Sequence, residues 1–287
     1  EKSCRFRHWL GRGYVGFGMH KIRTLSRRTS CSRKFGTLSA VLACASLTTW
    51  TAYHSNNGEA FGLVSKPPMM NPKKTRSFSV PLKTLSGTRL VLLDRDGVIN
   101  VDRGTWVLSA EEFEFVPDVP RTIAQLHRQK KKIAVVTNQS CLGRGMITED
   151  TLETIHAKMQ EAIKREGGEI NSIHVAPDTP SEASHRRKPG PGMLIEAMQL
   201  HQIAPENTVM VGDTINDMLA ATRADITAKI LLCTGHGRGR GEKLKQKGIQ
   251  LPVLVAAGSE EEFEVPSEIC PVWICEDLPS AADYLLL

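Results

Sequence analysis

The sequence predicts an α/β fold, a parallel sheet covered by helices on both faces. Three observations carry this. Short apolar runs recur from Leu90 onward and alternate with stretches of helical periodicity. The runs are continuously apolar, as strands buried on both faces are. Two of them drive straight into acidic residues, and the carboxyl ends of parallel strands are where such folds bind ligands.

Taken in order, the first strand is expected over Leu90–Leu93, leading into Asp94-Arg95-Asp96-Gly97. Asp118 is expected to cap a helix reaching Gln129, with Ile123 and Leu126 facing inward. Residues 133–136 read as the second strand and enter Thr137-Asn138-Gln139-Ser140. Thr148 caps the next helix, with Glu149 and Asp150 in its first turn and Leu152, Ile155, Met159 and Ile163 at helical spacing. Residues 173–176 form a third strand, and Gly192 opens a helix through Leu200. Residues 208–211 form a fourth strand that enters Gly212-Asp213, residues 216–222 a helix, and residues 228–232 a fifth strand. Beyond that the pattern loosens. Gly235, Gly237, Gly239 and Gly241 interleave with Arg238 and Arg240. A phosphate-gripping loop is one reading of this segment. A flexible surface loop is the expected one, because a glycine pattern without a helix opening behind it is a weak signal. A short apolar piece at 251–255, an acidic run at 260–264 and a closing helix over 280–286 complete the chain.

The net charge of +6 hides two opposite halves. Residues 1–86 hold 15 Lys/Arg against 2 Asp/Glu, whereas residues 87–287 hold 22 against 29. The domain over 87–287 is therefore acidic, which argues against a nucleic-acid partner. No apolar stretch reaches the ~18–20 residues that span a bilayer, so no membrane partner is expected for the mature domain. The seven cysteines form no Cys-x-x-Cys pair and read as reduced thiols packed as small apolar groups. A monomer is expected.

Residues 1–86 read as a largely disordered targeting leader. From Met19, its expected start, the order is basic, then weakly apolar over 38–50, then Gly58-Glu59-Ala60 before Phe61, as in a secretory signal peptide. Residues 66–83 are basic, hydroxyl-rich and proline-punctuated, and resemble a plastid transit segment. Together the two parts resemble the bipartite leader of algae with complex plastids, which implies a plastid location. The competing reading is a disordered basic arm on a cytoplasmic protein.

The chemistry concentrates at four places. Asp94 and Asp96 leave the end of the first strand on the same side, where two crowded carboxylates repel unless a cation or a proton separates them. That pair suits a divalent metal beside a carboxylate nucleophile; an Asp-Gly turn is the competing reading. A hydroxyl at the second strand tip, Thr137, with the following backbone N–H groups, can hold a phosphate oxygen; taken singly, the segment reads first as a Thr-Asn turn. Lys188, in Arg187-Lys188-Pro189-Gly190-Pro191-Gly192 before a helix, sits where anions bind and can neutralise a transferring phosphoryl group. Asp213 can complete a metal's oxygen shell, and Asp217, one helical turn later, can orient Lys188 or a metal-bound water.

These segments resemble the haloacid dehalogenase superfamily of phosphotransferases. The match runs through Asp94-x-Asp96, Thr137, Lys188 and Gly212-Asp213 with Asp217. The resemblance implies a Rossmann-like, doubly wound sheet and phosphomonoester hydrolysis through an aspartyl-phosphate. It makes Asp94 the nucleophile and Asp96 the acid that protonates the leaving alcohol and then activates water. Thr137 and Lys188 bind the phosphoryl group. Mg²⁺ is held by Asp94, the backbone carbonyl of Asp96, and Asp213. Asp94 to Asp102, Thr137-Asn138-Gln139-Ser140, Gly143-Arg144-Gly145 and Arg187 to Met193 resemble subfamily IIIA, the branch with the bacterial heptose bisphosphate and histidinol-phosphate phosphatases. That branch has no large cap domain. The likeness implies that Asp102, Arg103, Gly104, Thr105 and Arg187 contact the substrate beyond its phosphate, and that Asn138, Gln139 and Ser140 join Thr137 in binding it. The implied substrate is a small phosphorylated metabolite, a heptose bisphosphate first. Histidinol phosphate, or a catalytically silent binding protein, is the alternative. Members of the branch usually carry a cysteine-rich zinc loop before the catalytic lysine. Here no Cys lies between 141 and 233, and His174 and His185 alone cannot make a four-ligand site, so no zinc is expected. His174 is expected to pack at a strand end and His185 to lie in a loop.

Overall fold

A computed structural model describes Leu85 and residues 87–286. Apart from Leu85, which is buried in the core, the leader expected over 1–86 lies outside the described residues. The elements are β1 (Leu90–Leu93), α1 (Val119–Arg128), β2 (Lys132–Asn138), α2 (Ser140–Gly143), α3 (Glu149–Arg165), β3 (Ser172–Ala176), α4 (Gly192–His201), β4 (Thr208–Gly212), α5 (Ile215–Arg223), β5 (Ala228–Leu232), α6 (Arg238–Gln246), β6 (Val253–Val255), α7 (Glu260–Phe263), β7 (Val272–Cys275) and α8 (Leu278–Leu285).

The strands form one sheet in the order β3-β2-β1-β4-β5-β7-β6, parallel except for the β6–β7 pair. Alternate side chains of each strand go to opposite faces. Val91, Leu93, Val135 and Val211 pack with α1, α3 and α8, whereas Leu90, Leu92, Val136 and Met210 pack with α4 to α7. All four β1 side chains are fully buried, which is why an unbroken apolar run was required there. Strand order reverses at β1, the point where a doubly wound sheet opens a crevice at its carboxyl edge.

Thr148 caps α3 as expected, accepting a hydrogen bond from the Thr151 N–H. Asp118 does not cap α1. It adopts a left-handed conformation at φ 61° with no side-chain cap, and Pro120 in the first turn removes one of the N–H groups a cap would serve. The glycine-rich segment is not a flexible loop. Residues Gly235–Gly237 form a 3₁₀ turn that runs into α6, whose Leu244 is buried against the second core face. Tertiary burial overrides the poor helix propensity of glycine there. His174 sits in the middle of β3, bonded to the Ser172 hydroxyl at 3.1 Å, and His185 lies in an exposed loop.

Candidate active site

The strand register builds the floor. Leu93 pairs with Val135 on one side and Val211 on the other, so Asp94 leaves β1 level with Val136 and Gly212. The Lys188 ammonium reaches this level from the loop before α4. It lies 2.8 Å from Asp94 Oδ1 and 2.6 Å from Asp217 Oδ1, and it donates to the Val136 carbonyl at 2.8 Å. The ammonium is thus paired with two carboxylates and hydrogen-bonded to one backbone carbonyl. Asn138 fixes the lysine's backbone: its Oδ1 accepts from the Lys188 N–H at 3.0 Å and its Nδ2 donates to the Lys188 carbonyl at 3.1 Å. Asp217 also completes a capping box with Thr214 at the start of α5.

Oxygens of Asp94, Asp213 and Asp217 lie within 4.8 Å of one another. Three buried carboxylates thus face one ammonium. Burial, opposed by Lys188 and reinforced by Asp217, pushes the Asp94 carboxyl up to about 7. Burial, with Asp94 and Asp217 beside it, pushes Asp213 up to about 8. Burial disfavours the Lys188 charge, but Asp217 and Asp94 outweigh it and hold that ammonium above the ordinary lysine range. Asp213 Oδ1 is buried without a hydrogen-bond partner. Excess negative charge and an orphaned carboxylate oxygen fit a divalent cation such as Mg²⁺, which binds through one or two carboxylates.

Asp96 stands apart from that cluster. Arg95 Nη2 lies 2.8 and 2.9 Å from its two oxygens, Asn100 Nδ2 donates at 3.0 Å and Gln139 Nε2 at 2.8 Å. Burial pushes the Asp96 carboxyl upward, but Arg95 and these donors more than offset it and hold it below the usual carboxylate range. Arg95 is itself fully buried, with Nη1 3.4 Å from His156 Nε2.

A cleft of about 460 Å³ opens over this floor. Of the residues singled out from the sequence, Asp94, Asp96, Asp102, Gly104, Thr105, Asn138, Gln139, Ser140, Arg187, Lys188 and Asp213 line it. Two do not. Arg103 turns outward to Glu114, at 2.6 Å, with its side chain about half exposed. Thr137 is buried beneath the floor, where its hydroxyl accepts from Gln139 Nε2 at 2.8 Å. Trp106 and His236 join the lining without having been foreseen. Trp106 Nε1 donates to Ser140 Oγ at 3.3 Å, and the Arg144 guanidinium stands 5.8 Å from its ring centroid. A lone aromatic residue in a polar loop just after the Asp-x-Asp motif was the available signal. Arg95, Asn100 and Asn138 support the floor, and their roles depend on contacts no motif spacing reveals.

A model of the haloacid dehalogenase-like hydrolase family matches residues 83–225. The D-glycero-β-D-manno-heptose-1,7-bisphosphate 7-phosphatase of Pseudomonas putida is 36% identical over 167 residues, covering 58% of this chain and 93% of that protein. Its namesake from Bordetella bronchiseptica is 33% identical over 198 residues, covering 69% and 98%. The crystal structure of a D,D-heptose 1,7-bisphosphate phosphatase from B. bronchiseptica, complexed with magnesium and phosphate, matches with a TM-score of 0.57 at 32% identity, covering 69% of this chain and 98% of that one. With such agreement along nearly the whole length of these relatives, the chain belongs to the haloacid dehalogenase-like hydrolase family and is a phosphatase.

Proposed function

We propose that the protein removes a phosphoryl group from a heptose bisphosphate, with Asp94 as nucleophile and Mg²⁺ as cofactor. The observation that supports this most is the array of Asp94, Lys188 and Asp217 on the floor of an open cleft. A phosphate monoester repels a carboxylate, so attack requires positive charge around it. Asp94 and Asp213 would hold Mg²⁺, whose charge would screen the phosphoryl group. Asp94 Oδ1 accepts from the Arg95 N–H at 2.7 Å and faces Lys188, whereas Oδ2 accepts no hydrogen bond among the described residues. Oδ2 is the oxygen left to bond phosphorus. Lys188 brings positive charge to the phosphoryl group and keeps Asp94 in place.

Asp96 then manages the proton. The negative charge of a bound phosphoryl group raises the proton affinity of a nearby carboxylate, so Asp96 can carry a proton to the leaving oxygen. Afterwards its preference for the anion suits removal of a proton from the water that attacks the aspartyl-phosphate. Splitting one displacement into two lowers the barrier of each. Asp102, Thr105, Trp106 and Arg187 surround the leaving group. The test is phosphate release by the full chain from heptose 1,7-bisphosphate, histidinol phosphate and nucleotides. Preference for the heptose ester is expected; preference for either of the others would contradict the proposed substrate.

A further inference from the structure

We infer that His236 is a specificity-determining residue of this cleft: the Gly235–Gly237 turn orients Asp213 through its backbone and sets the His236 imidazole opposite Asp102, where the two bind hydroxyl groups of the leaving alcohol. This rests on the phosphatase reading above.

The turn follows the tip of β5, at the carboxyl edge of the sheet. Gly235 has φ 48° and Gly97, after β1, has φ 81°. A Cβ on either would collide with Asp213 Oδ2, so the two backbones approach that carboxylate, and each other, only because both residues are glycine. The His236 N–H donates to Asp213 Oδ2 at 2.8 Å, which leaves Oδ1 as the oxygen without a partner. With its backbone held there, His236 lines the cleft at its exposed edge.

It meets Asp102. Nε2 stands 3.4 Å from Asp102 Oδ2, and the two side chains are 71% and 14% exposed. Asp102 is pinned as well, since its Oδ1 accepts from the Gly104 N–H at 2.8 Å. The gap between the two facing atoms is too long for a good hydrogen bond, and an incoming hydroxyl can satisfy both. A hydroxyl donates to the carboxylate oxygen while the imidazole serves its neighbour. The carboxylate repels anions, so this wall suits the neutral, polyhydroxylated part of a sugar and not a second phosphate. The remaining anionic group is left to Arg187, which also lines the cleft.

The test compares kcat/KM of the full-length wild type, His236→Ala and His236→Gln on heptose 1,7-bisphosphate and on phenyl phosphate, whose leaving alcohol has no further hydroxyls. His236→Ala should lower kcat/KM for the sugar ester by about tenfold more than for phenyl phosphate, chiefly through KM, as expected when a site hydrogen bond to a substrate hydroxyl is lost. His236→Gln should recover most of that difference. Equal losses on both esters would overturn the inference, because they would place the whole effect in the backbone bond to Asp213. No loss on the sugar ester would overturn it too. If the wild type hydrolyses neither ester, the proposed substrate fails by itself. The contact is then decided by NMR of the His236 ring during titration with the heptose monophosphate, where a perturbed resonance supports it and an unperturbed one overturns it.

Discussion

The floor and the rim of the cleft are built on opposite plans. On the floor, Lys188 and Asp217 are almost wholly buried, and the ammonium has three oxygens between 2.6 and 2.8 Å. On the rim, Trp106 is 47% exposed and tied by one 3.3 Å hydrogen bond, and His236 faces Asp102 across 3.4 Å. The floor holds reacting groups to a fixed geometry, which phosphoryl transfer needs whatever the alcohol. The rim contributes side chains that can shift to meet a particular leaving group, as loops on a rigid scaffold commonly do. Reaction type and substrate choice are therefore written in different parts of the molecule.

Substitutions should separate the two. Asp94→Asn is expected to lower phosphate release by at least ~10³-fold while leaving the thermal unfolding midpoint nearly unchanged, because it removes a nucleophile and not a packing group. A variant that keeps wild-type turnover would dissolve the distinction. Lys188→Met is expected to abolish turnover and to destabilise the metal-free protein by about 3–5 kcal/mol in urea titrations, since the buried carboxylates lose the ammonium they face. Saturating Mg²⁺ should restore part of that loss.

The pH dependence follows from Asp94 and Asp213, whose folded values lie near 7 and 8 and above the ordinary Asp value. A carboxyl raised on folding contributes stability at low pH that is lost as pH rises through the folded value. The metal-free protein should therefore lose stability progressively from about pH 4, the ordinary Asp value, up to about pH 8 and level off above it. Mg²⁺ binding requires the ionised carboxylates, so it should weaken as pH falls through the folded values near 8 and 7 and release protons. Calorimetry in buffers of different ionisation enthalpy reads both effects. Smallest of all, Trp106→Ala should raise KM a few-fold with kcat little changed, measured on the heptose ester; an equal drop in kcat would move Trp106 from rim to floor.

Much of the floor was legible because Asp94 and Asp213 leave strand ends, and Lys188 sits in a Pro/Gly turn just before a helix. An apolar run ending in Asp94 fixes both where that carboxylate sits and which edge it faces, and the same holds for Gly212-Asp213. The rim was not legible, because adjacent residues there diverge. Asp102 and Arg103 are neighbours in the chain, yet one lines the cleft and the other turns to Glu114. Asn138 holds the backbone of Lys188, fifty positions away, and nothing in a Thr-Asn-Gln-Ser run announces that partner. Helix α6 escaped notice because four glycines mask it and only the burial of Leu244 reveals its inner face. Strand β7, Val272–Cys275, is no shorter than β1, but Pro271 stands directly before it, and a proline argues against a central strand.

The central claim is a covalent bond between Asp94 and phosphorus, and a phosphoryl mimic tests it most directly. The full-length protein with Mg²⁺ and beryllium fluoride, examined by crystallography, should show a BeF₃ group bonded to Asp94 Oδ2 beside Lys188. A fluoride complex that sits in the cleft without bonding Asp94, or bonds another carboxylate, would contradict the account.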